Sequence, residues 1–321
     1  MAHEKRSGGP GSGLGRLSRR CLLFGVGARD RGRVHSPYAP AADVECTLRD
    51  GRRLAYAVWG DPDGVTVFVF HGAPGSRLFV PDPVTTAEAG VRLVTVDRPG
   101  YGASDPQTGR SILDWPNDLL QVADRLDVAR FAVVGHSSAG PYALACALRM
   151  PERISGVALV SSVAPYDDRP PGDSDDDDQV LTELARKAPE RAQAQIAEAA
   201  AWLVEDPDRF LNLPRPEPDG LLLTDPSIRS MYLRAVRESV KQGIDAYAWD
   251  CVIERRPWDF ALADIGADVA IWHGGQDLTV PPSAAAVLAE ALPHNHLRLV
   301  PEAAHGLILT AWADILDDLN P

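Results

Sequence analysis

The chain of 321 residues is 45% hydrophobic and 24% charged, enough apolar content to bury a core and a length that suits one large α/β domain with an insertion. Its formal net charge is −13, and residues 1–40 hold eight Lys/Arg against two Asp/Glu, which leaves −19 for the rest. A body that acidic repels phosphate backbones and anionic lipid, which argues against nucleic-acid and membrane-surface partners.

The N-terminal arm, residues 1–42, reads as a disordered, basic Gly/Arg-rich extension or as sequence upstream of the true start. Ser18-Arg19-Arg20-Cys21-Leu22-Leu23 looks like a twin-arginine export motif. Yet the apolar stretch after it ends at Ala28, contains two glycines, is broken by Arg29-Asp30-Arg31 and precedes no A-x-A-like cleavage site. Cys21, Cys46, Cys146 and Cys251 form no CxxC pair, which argues against a zinc site or a disulfide framework and for a reducing compartment. A cytoplasmic location is therefore expected, with export as the alternative. No uninterrupted apolar run of about 18 residues occurs, so no membrane-spanning helix is expected.

From Asp43 the pattern becomes that of strands. Val44–Leu48 and Leu54–Trp59 flank Asp50-Gly51, a dipeptide that favours a hairpin. Val65–Phe70 is a continuous β-branched and aromatic run, as in a strand buried on both faces. It leads into His71-Gly72-Ala73-Pro74-Gly75-Ser76, a tight turn able to aim backbone N–H groups above the sheet, or simply a strand-to-helix connection. A strand over Val91–Val96 and a helix over Leu113–Leu126 follow.

Phe131–Val134 then runs through Gly135-His136-Ser137-Ser138-Ala139-Gly140 into a helix over Ala139–Arg149. A strand, a sharp turn and an immediate helix are the context in which a serine is presented as a nucleophile. The turn requires small residues two before and two after that serine, which Gly135 and Ala139 supply for Ser137. Choosing Ser138 would put His136 at the earlier small position. The helix also aims its N-terminal dipole at the serine oxygen. An ordinary N-cap serine fits the local pattern too.

After a strand over Ile154–Val160 the alternation breaks. A Pro/Asp-rich stretch from Pro165 to Asp178 precedes two helix-rich blocks, Val180–Val204 and Pro226–Ile253, separated by Leu213-Pro214-Arg215-Pro216-Glu217-Pro218. Residues 165–256 read as a helical cap over one face of the sheet, inserted between core segments 43–164 and 257–321. The run Asp175–Asp178 reads as a solvated linker supplying charge near a helix N-terminus rather than as a metal site.

Strands resume at Val269–Trp272, followed by His273-Gly274-Gly275-Gln276-Asp277, with an acid at a strand end. A helix over Ser283–Leu292, a strand over Leu297–Val300 and a helix over Leu307–Leu319 close the chain, with Pro301-Glu302-Ala303-Ala304-His305-Gly306 before the last helix. Apolar strands alternating with helices predict a doubly wound, mostly parallel sheet, whose carboxyl edge is where ligands meet open α/β folds. There His305 is placed to take the Ser137 proton through Nε2, and Asp277 to hold Nδ1–H without being wholly buried. The N–H groups of Ser138 and Ala73 are the candidate oxyanion donors. His136 is expected to pack within the turn and point away, and His71 and His273 to hydrogen-bond loops. Asp259, Asp264 and Asp268 are rivals to Asp277, but none follows a strand at its carboxyl end.

Together these segments, with Asp97-Arg98-Pro99-Gly100-Tyr101-Gly102-Ala103-Ser104, resemble the α/β-hydrolase superfamily from about Asp43 to Pro321. The resemblance implies an eight-stranded sheet, a helical cap, no cofactor, and triad roles for Ser137, Asp277 and His305. Serine at the elbow sets the chain apart from haloalkane dehalogenases and epoxide hydrolases, which use a carboxylate nucleophile. The turn after Phe70 is similar to the HGxPG of proline iminopeptidases, whose elbow differs from this one. The expected substrate is a small-molecule ester or other acyl compound cleaved through acyl-Ser137. The same triad could instead serve thioester, C–C, lactone or cyclisation chemistry, or persist in a low-turnover receptor. Trp202, Trp249, Trp258, Tyr232 and Tyr247 either line the pocket or pack the cap onto the core.

Overall fold

The computed structural model describes residues 38–166 and 176–319. Residues 1–37 of the arm, Ser18-Arg19-Arg20 among them, and most of the Pro165–Asp178 stretch lie outside them, whereas residues 38–42 are described and Ala42 already belongs to a strand. The expected hairpin joins β1 (Ala42–Thr47) to β2 (Arg53–Gly60) through Gly51, whose φ of +90° suits a residue without a Cβ. The other strands are β3 (Val65–Phe70), β4 (Val91–Val96), β5 (Phe131–His136), β6 (Ile154–Val160), β7 (Val269–Gly274) and β8 (Asn295–Val300). They form one sheet in the order β1-β2-β4-β3-β5-β6-β7-β8, antiparallel at the first two pairings and parallel from β4 to β8.

Each central strand splits its side chains between two apolar layers because successive residues point to opposite faces. Phe68 and Phe70 of β3 join a core built with α2 (Trp115–Arg125), α3 (Gly140–Arg149) and α10 (Ser283–Ala291). Val67 and Val69 join the opposite one, filled by α11 (Leu307–Thr310) and α12 (Trp312–Leu319), while α1 (Pro83–Glu88) adds Thr86, whose hydroxyl accepts from Trp312 Nε1 at 2.8 Å. The expected doubly wound sheet is therefore the observed one. β8 differs from an inner strand: as an edge it leaves Leu297 and Leu299 41% and 51% exposed.

Between β6 and β7 lie α4 (Asp176–Lys187), α5 (Pro189–Ala199), α6 (Trp202–Glu205), α7 (Glu217–Leu222), α8 (Pro226–Ser239) and α9 (Asp245–Arg255). Ala185, Ala192, Ile196, Ala248 and Val252 give α4, α5 and α9 a small core of their own. Two details depart from expectation. The helix anticipated from Val180 starts at Asp176, and Asp178 Oδ1 accepts from Arg255 Nη2 at 2.7 Å, tying α4 to α9. The Pro-rich separator contains the start of α7, because Pro218 sits in the first turn, where its missing N–H costs nothing. Among the described residues no helix is long and apolar enough to cross a membrane.

Candidate active site

The parallel strands β3, β5, β7 and β8 end at one edge, and the loops leaving them carry every predicted site residue. β5 passes into a single 3-10 turn, Ser137–Ala139, before α3 begins. Ser137 has φ of +57°, strained for a side-chain-bearing residue. A Cβ on Gly135 would stand 2.6 Å from Ala139 O and 2.7 Å from Gly140 Cα, which is why the position two before Ser137 is glycine. Ala139 fits without strain inside the core. The tightest position after the serine is Gly140, where any Cβ would overlap Ser162 Oγ at the end of β6.

His305 Nδ1 lies 2.8 Å from Asp277 Oδ2, and His305 Nε2 lies 3.0 Å from Ser137 Oγ. A carboxylate only accepts, so Nδ1 carries the proton, Nε2 is the acceptor and the Ser137 hydroxyl donates to it. Asp277 Oδ1 accepts from the N–H groups of Thr279 and Val280, both at 2.9 Å. Burial alone would raise the Asp277 carboxyl; the His305 hydrogen bond and charge, with Val280 N–H, hold it below the ordinary value. Asp277 is only 1% exposed, so the rim position expected for it is a buried one, made tolerable by those three donors. The rival Asp268 lies 3.8 Å from His296 instead.

The two candidate oxyanion donors flank the serine. Ser138 N–H is in the first turn of its helix, where no intrahelical acceptor exists. Ala73 N–H meets no protein acceptor among the described residues. Gly72 lets its loop approach closely, since a Cβ there would stand 3.0 Å from Ser137 Cβ. Ser138 Oγ turns away from His305 and accepts from Arg98 Nη2 at 3.3 Å.

That arginine belongs to a network no local signal revealed. Asp250 of α9 accepts from Arg98 Nη2 at 2.7 Å, Tyr101 at 2.7 Å, Tyr142 at 2.8 Å and Arg110. Arg98 also donates to His71 O. Burial would raise the Asp250 carboxyl, but the Arg110 and Arg98 charges hold it well below its usual range. One buried carboxylate thus fastens an inserted helix, through Arg98, to both the loop after β3 and Ser138.

Burial holds His71, His136 and His273 in the neutral form. His71 Nδ1–H donates to Gly72 O at 2.7 Å and His273 Nε2–H to Val280 O at 2.9 Å, the loop bonds expected of them. His136 packs as expected, stacked on Phe79 at 5.5 Å between ring centres. It does not point away from the site: it lines the same cavity as Ser137, and its Nε2–H donates to His305 O at 3.3 Å. Burial, then the neighbouring His305 charge, pulls its imidazole down to about 3.

A cavity of about 330 Å³ opens over Ser137 and His305, bounded on the far side by Phe210, Leu213, Arg215, Leu222, Tyr232 and Tyr247 of the inserted segment. Tyr232 and Tyr247 therefore line it. Trp202 faces a neighbouring hollow, Trp249 donates to Arg110 O at 2.9 Å, and Trp258 is core. Asp219 of α7, also in the wall, accepts from Gly306 N–H at 2.8 Å. Among the described residues no group of three His, Cys, Asp or Glu side chains is arranged to hold a metal.

Known proteins share this plan. Over 280 residues the chain is 28% identical to a non-heme chloroperoxidase of Streptomyces lividans, covering 80% of this chain and 94% of that one. It is 25% identical over 252 residues to a putative carbamate hydrolase of Agrobacterium fabrum, covering 78% and 89% respectively. In fold it is similar to a hydrolase from Pseudomonas aeruginosa (TM-score 0.64, 18% identity, 88% of this chain and 99% of that one). It is likewise similar to an esterase from Exiguobacterium antarcticum (TM-score 0.59, 20% identity, 87% and 98%). The family model described as alpha/beta hydrolase fold matches residues 65–311, and the chain belongs to that family.

Proposed function

We propose that the protein is a serine hydrolase that cleaves a small-molecule carboxylic ester or related acyl bond through an acyl-enzyme on Ser137. Ser137 Oγ attacks the carbonyl carbon while His305 Nε2 takes its proton, and Asp277 steadies the imidazolium that results. The oxyanion collects the N–H groups of Ala73 and Ser138. As it collapses the bond to the leaving alcohol breaks, and His305 returns its proton to that oxygen. Water, deprotonated by His305, then attacks the acyl carbon and frees the acid and Ser137. The inserted helices act as a cap that shields this chemistry from bulk water, and about 330 Å³ suits a small or medium acyl substrate.

The observation that carries this reading is the hydrogen-bonded chain Ser137–His305–Asp277, with the serine at a strained φ facing a cavity. The names of the two relatives, one a chloroperoxidase and one a carbamate hydrolase, differ in reaction, so they do not select a substrate. Cys46, Cys146 and Cys251 are free, which supports a reducing compartment such as the cytoplasm. The test is a p-nitrophenol burst from short-chain p-nitrophenyl esters. Turnover that survives in Ser137→Ala contradicts the mechanism.

A further inference from the structure

Among the described residues, Arg215 is the single Lys or Arg lining the cavity that holds Ser137 and His305. Its Nε donates to Leu213 O at 3.2 Å and its Nη2 to Phe210 O at 2.8 Å, both uncharged backbone acceptors. Its Nη1 has no protein acceptor, and no carboxylate oxygen lies within 4.0 Å of its guanidinium among the described residues. Arginines that the fold buries more completely are paired: Arg77 meets Asp97, and Arg98 and Arg110 meet Asp250. Asp219 of α7, with Tyr232 and Arg229 of α8, are the charged or titratable groups felt by Arg215. Of these, Asp219 already holds Gly306 N–H through Oδ1. Burial lowers the Arg215 pKa, the mark of a cation short of compensation.

Tyr232 stands in the same wall, and its hydroxyl bonds to no protein group among the described residues. Its ring packs edge-on to Phe79 at 5.3 Å, Phe79 stacks on His136, and His136 lies 5.2 Å from the His305 ring. A row of rings, Tyr232, Phe79 and His136, therefore runs along the cavity lining from the wall that carries these donors to His305.

We propose that Arg215, with the Tyr232 hydroxyl, binds a free carboxylate on the substrate, so that the preferred substrates are anionic esters with a short apolar spacer between carboxylate and scissile carbonyl. The proposal rests on the acyl-serine reading and names its substrate class. A guanidinium pinned through two of its three nitrogens offers the third at little entropic cost, and a charge-assisted pair in a partly desolvated wall discriminates strongly against an uncharged isostere.

The test compares p-nitrophenyl hydrogen glutarate with methyl p-nitrophenyl glutarate, the same chain with its charge removed, on the full chain and on Arg215→Gln and Arg215→Lys. The expected wild-type preference in kcat/KM for the anionic ester is about tenfold or more, shrinking with added salt. Arg215→Gln collapses the ratio, chiefly through KM, and Arg215→Lys restores part of it. A wild-type ratio near one, or an Arg215→Gln variant that slows both esters equally and keeps the ratio, overturns the proposal and leaves Arg215 as a brace for the turn at Phe210–Arg215. Calorimetric binding of glutarate decides the matter even if neither ester is turned over, an outcome that sinks the hydrolase reading instead. Binding by wild type that Arg215→Gln abolishes supports the carboxylate site, and equal binding by both, or none by wild type, removes it.

Discussion

The backbone N–H of Gly306 donates to Asp219 Oδ1 at 2.8 Å, so a helix inserted between β6 and β7 grips the loop that carries His305. A Cβ on Gly306 would stand 2.5 Å from Leu222 Cδ1, a measure of how closely α7 lies on that loop. Asp219→Ala leaves this N–H without its acceptor, at a cost of about 1 kcal/mol. The looser His305 loop lowers kcat on p-nitrophenyl acetate by about tenfold, as expected for a misplaced base. Asp219→Asn keeps an acceptor oxygen and stays near wild type. Steady-state kinetics and thermal melting of the two variants check this.

Gly140→Ala sets a methyl group against Ser162 Oγ, where there is no room for it. Overpacking of this kind costs about 1–3 kcal/mol. Removing the obstacle in Gly140→Ala/Ser162→Gly returns part of that stability, whereas Ala139→Gly, which deletes a buried methyl group and frees the backbone, costs about 1 kcal/mol with no clash for a second substitution to relieve. Urea denaturation midpoints give the comparison.

These two sites show what a sequence exposes and what it hides. The frame that selects Ser137 over Ser138 is legible because the turn itself excludes a side chain at Gly135, a constraint local to six residues. Asp277 and His305 are legible because strand ends announce themselves through apolar runs followed by glycine or a short loop. Gly140 is harder, since the atom that forbids its Cβ comes from Ser162 on another strand end. Asp250 and Asp219 are harder still: each acts on a loop more than 80 positions away, and neither has neighbours whose spacing betrays it. The proline-rich spelling of residues 213–218 conceals α7 because proline at the start of a helix leaves the same trace as proline in a linker.

Asp250→Ala strands two buried guanidinium groups and unties α9 from the loop that follows β3. Loss of one partner from a buried ionic cluster costs about 3–5 kcal/mol, so this variant melts far below wild type. Asp250→Asn keeps one acceptor oxygen of the two but not the charge, and loses a smaller share. Differential scanning calorimetry ranks the three proteins.

Stability falls as pH drops below about 6.5, where unfolded histidine begins to bind protons that the folded protein refuses. His71, His136 and His273 are all depressed, each first by burial, and His136 reaches about 3. A depressed histidine contributes its stability above the unfolded pKa and loses it as pH falls toward the folded value. For His136 that window runs from about 6.5 down to about 3, at about 1.4 kcal/mol per pH unit. His136→Phe removes one proton from the slope of unfolding free energy against pH between 6 and 4. A slope equal to that of wild type contradicts the assignment.

Ser137, and not its neighbour, is the proposed nucleophile activated by His305. Labelling with a fluorophosphonate, followed by intact-mass and peptide mass spectrometry on wild type, Ser137→Ala and Ser138→Ala, asks this without knowledge of the substrate. One adduct per chain is expected, on Ser137, retained in Ser138→Ala and absent from Ser137→Ala. An adduct on Ser138, or labelling that persists in Ser137→Ala, contradicts it.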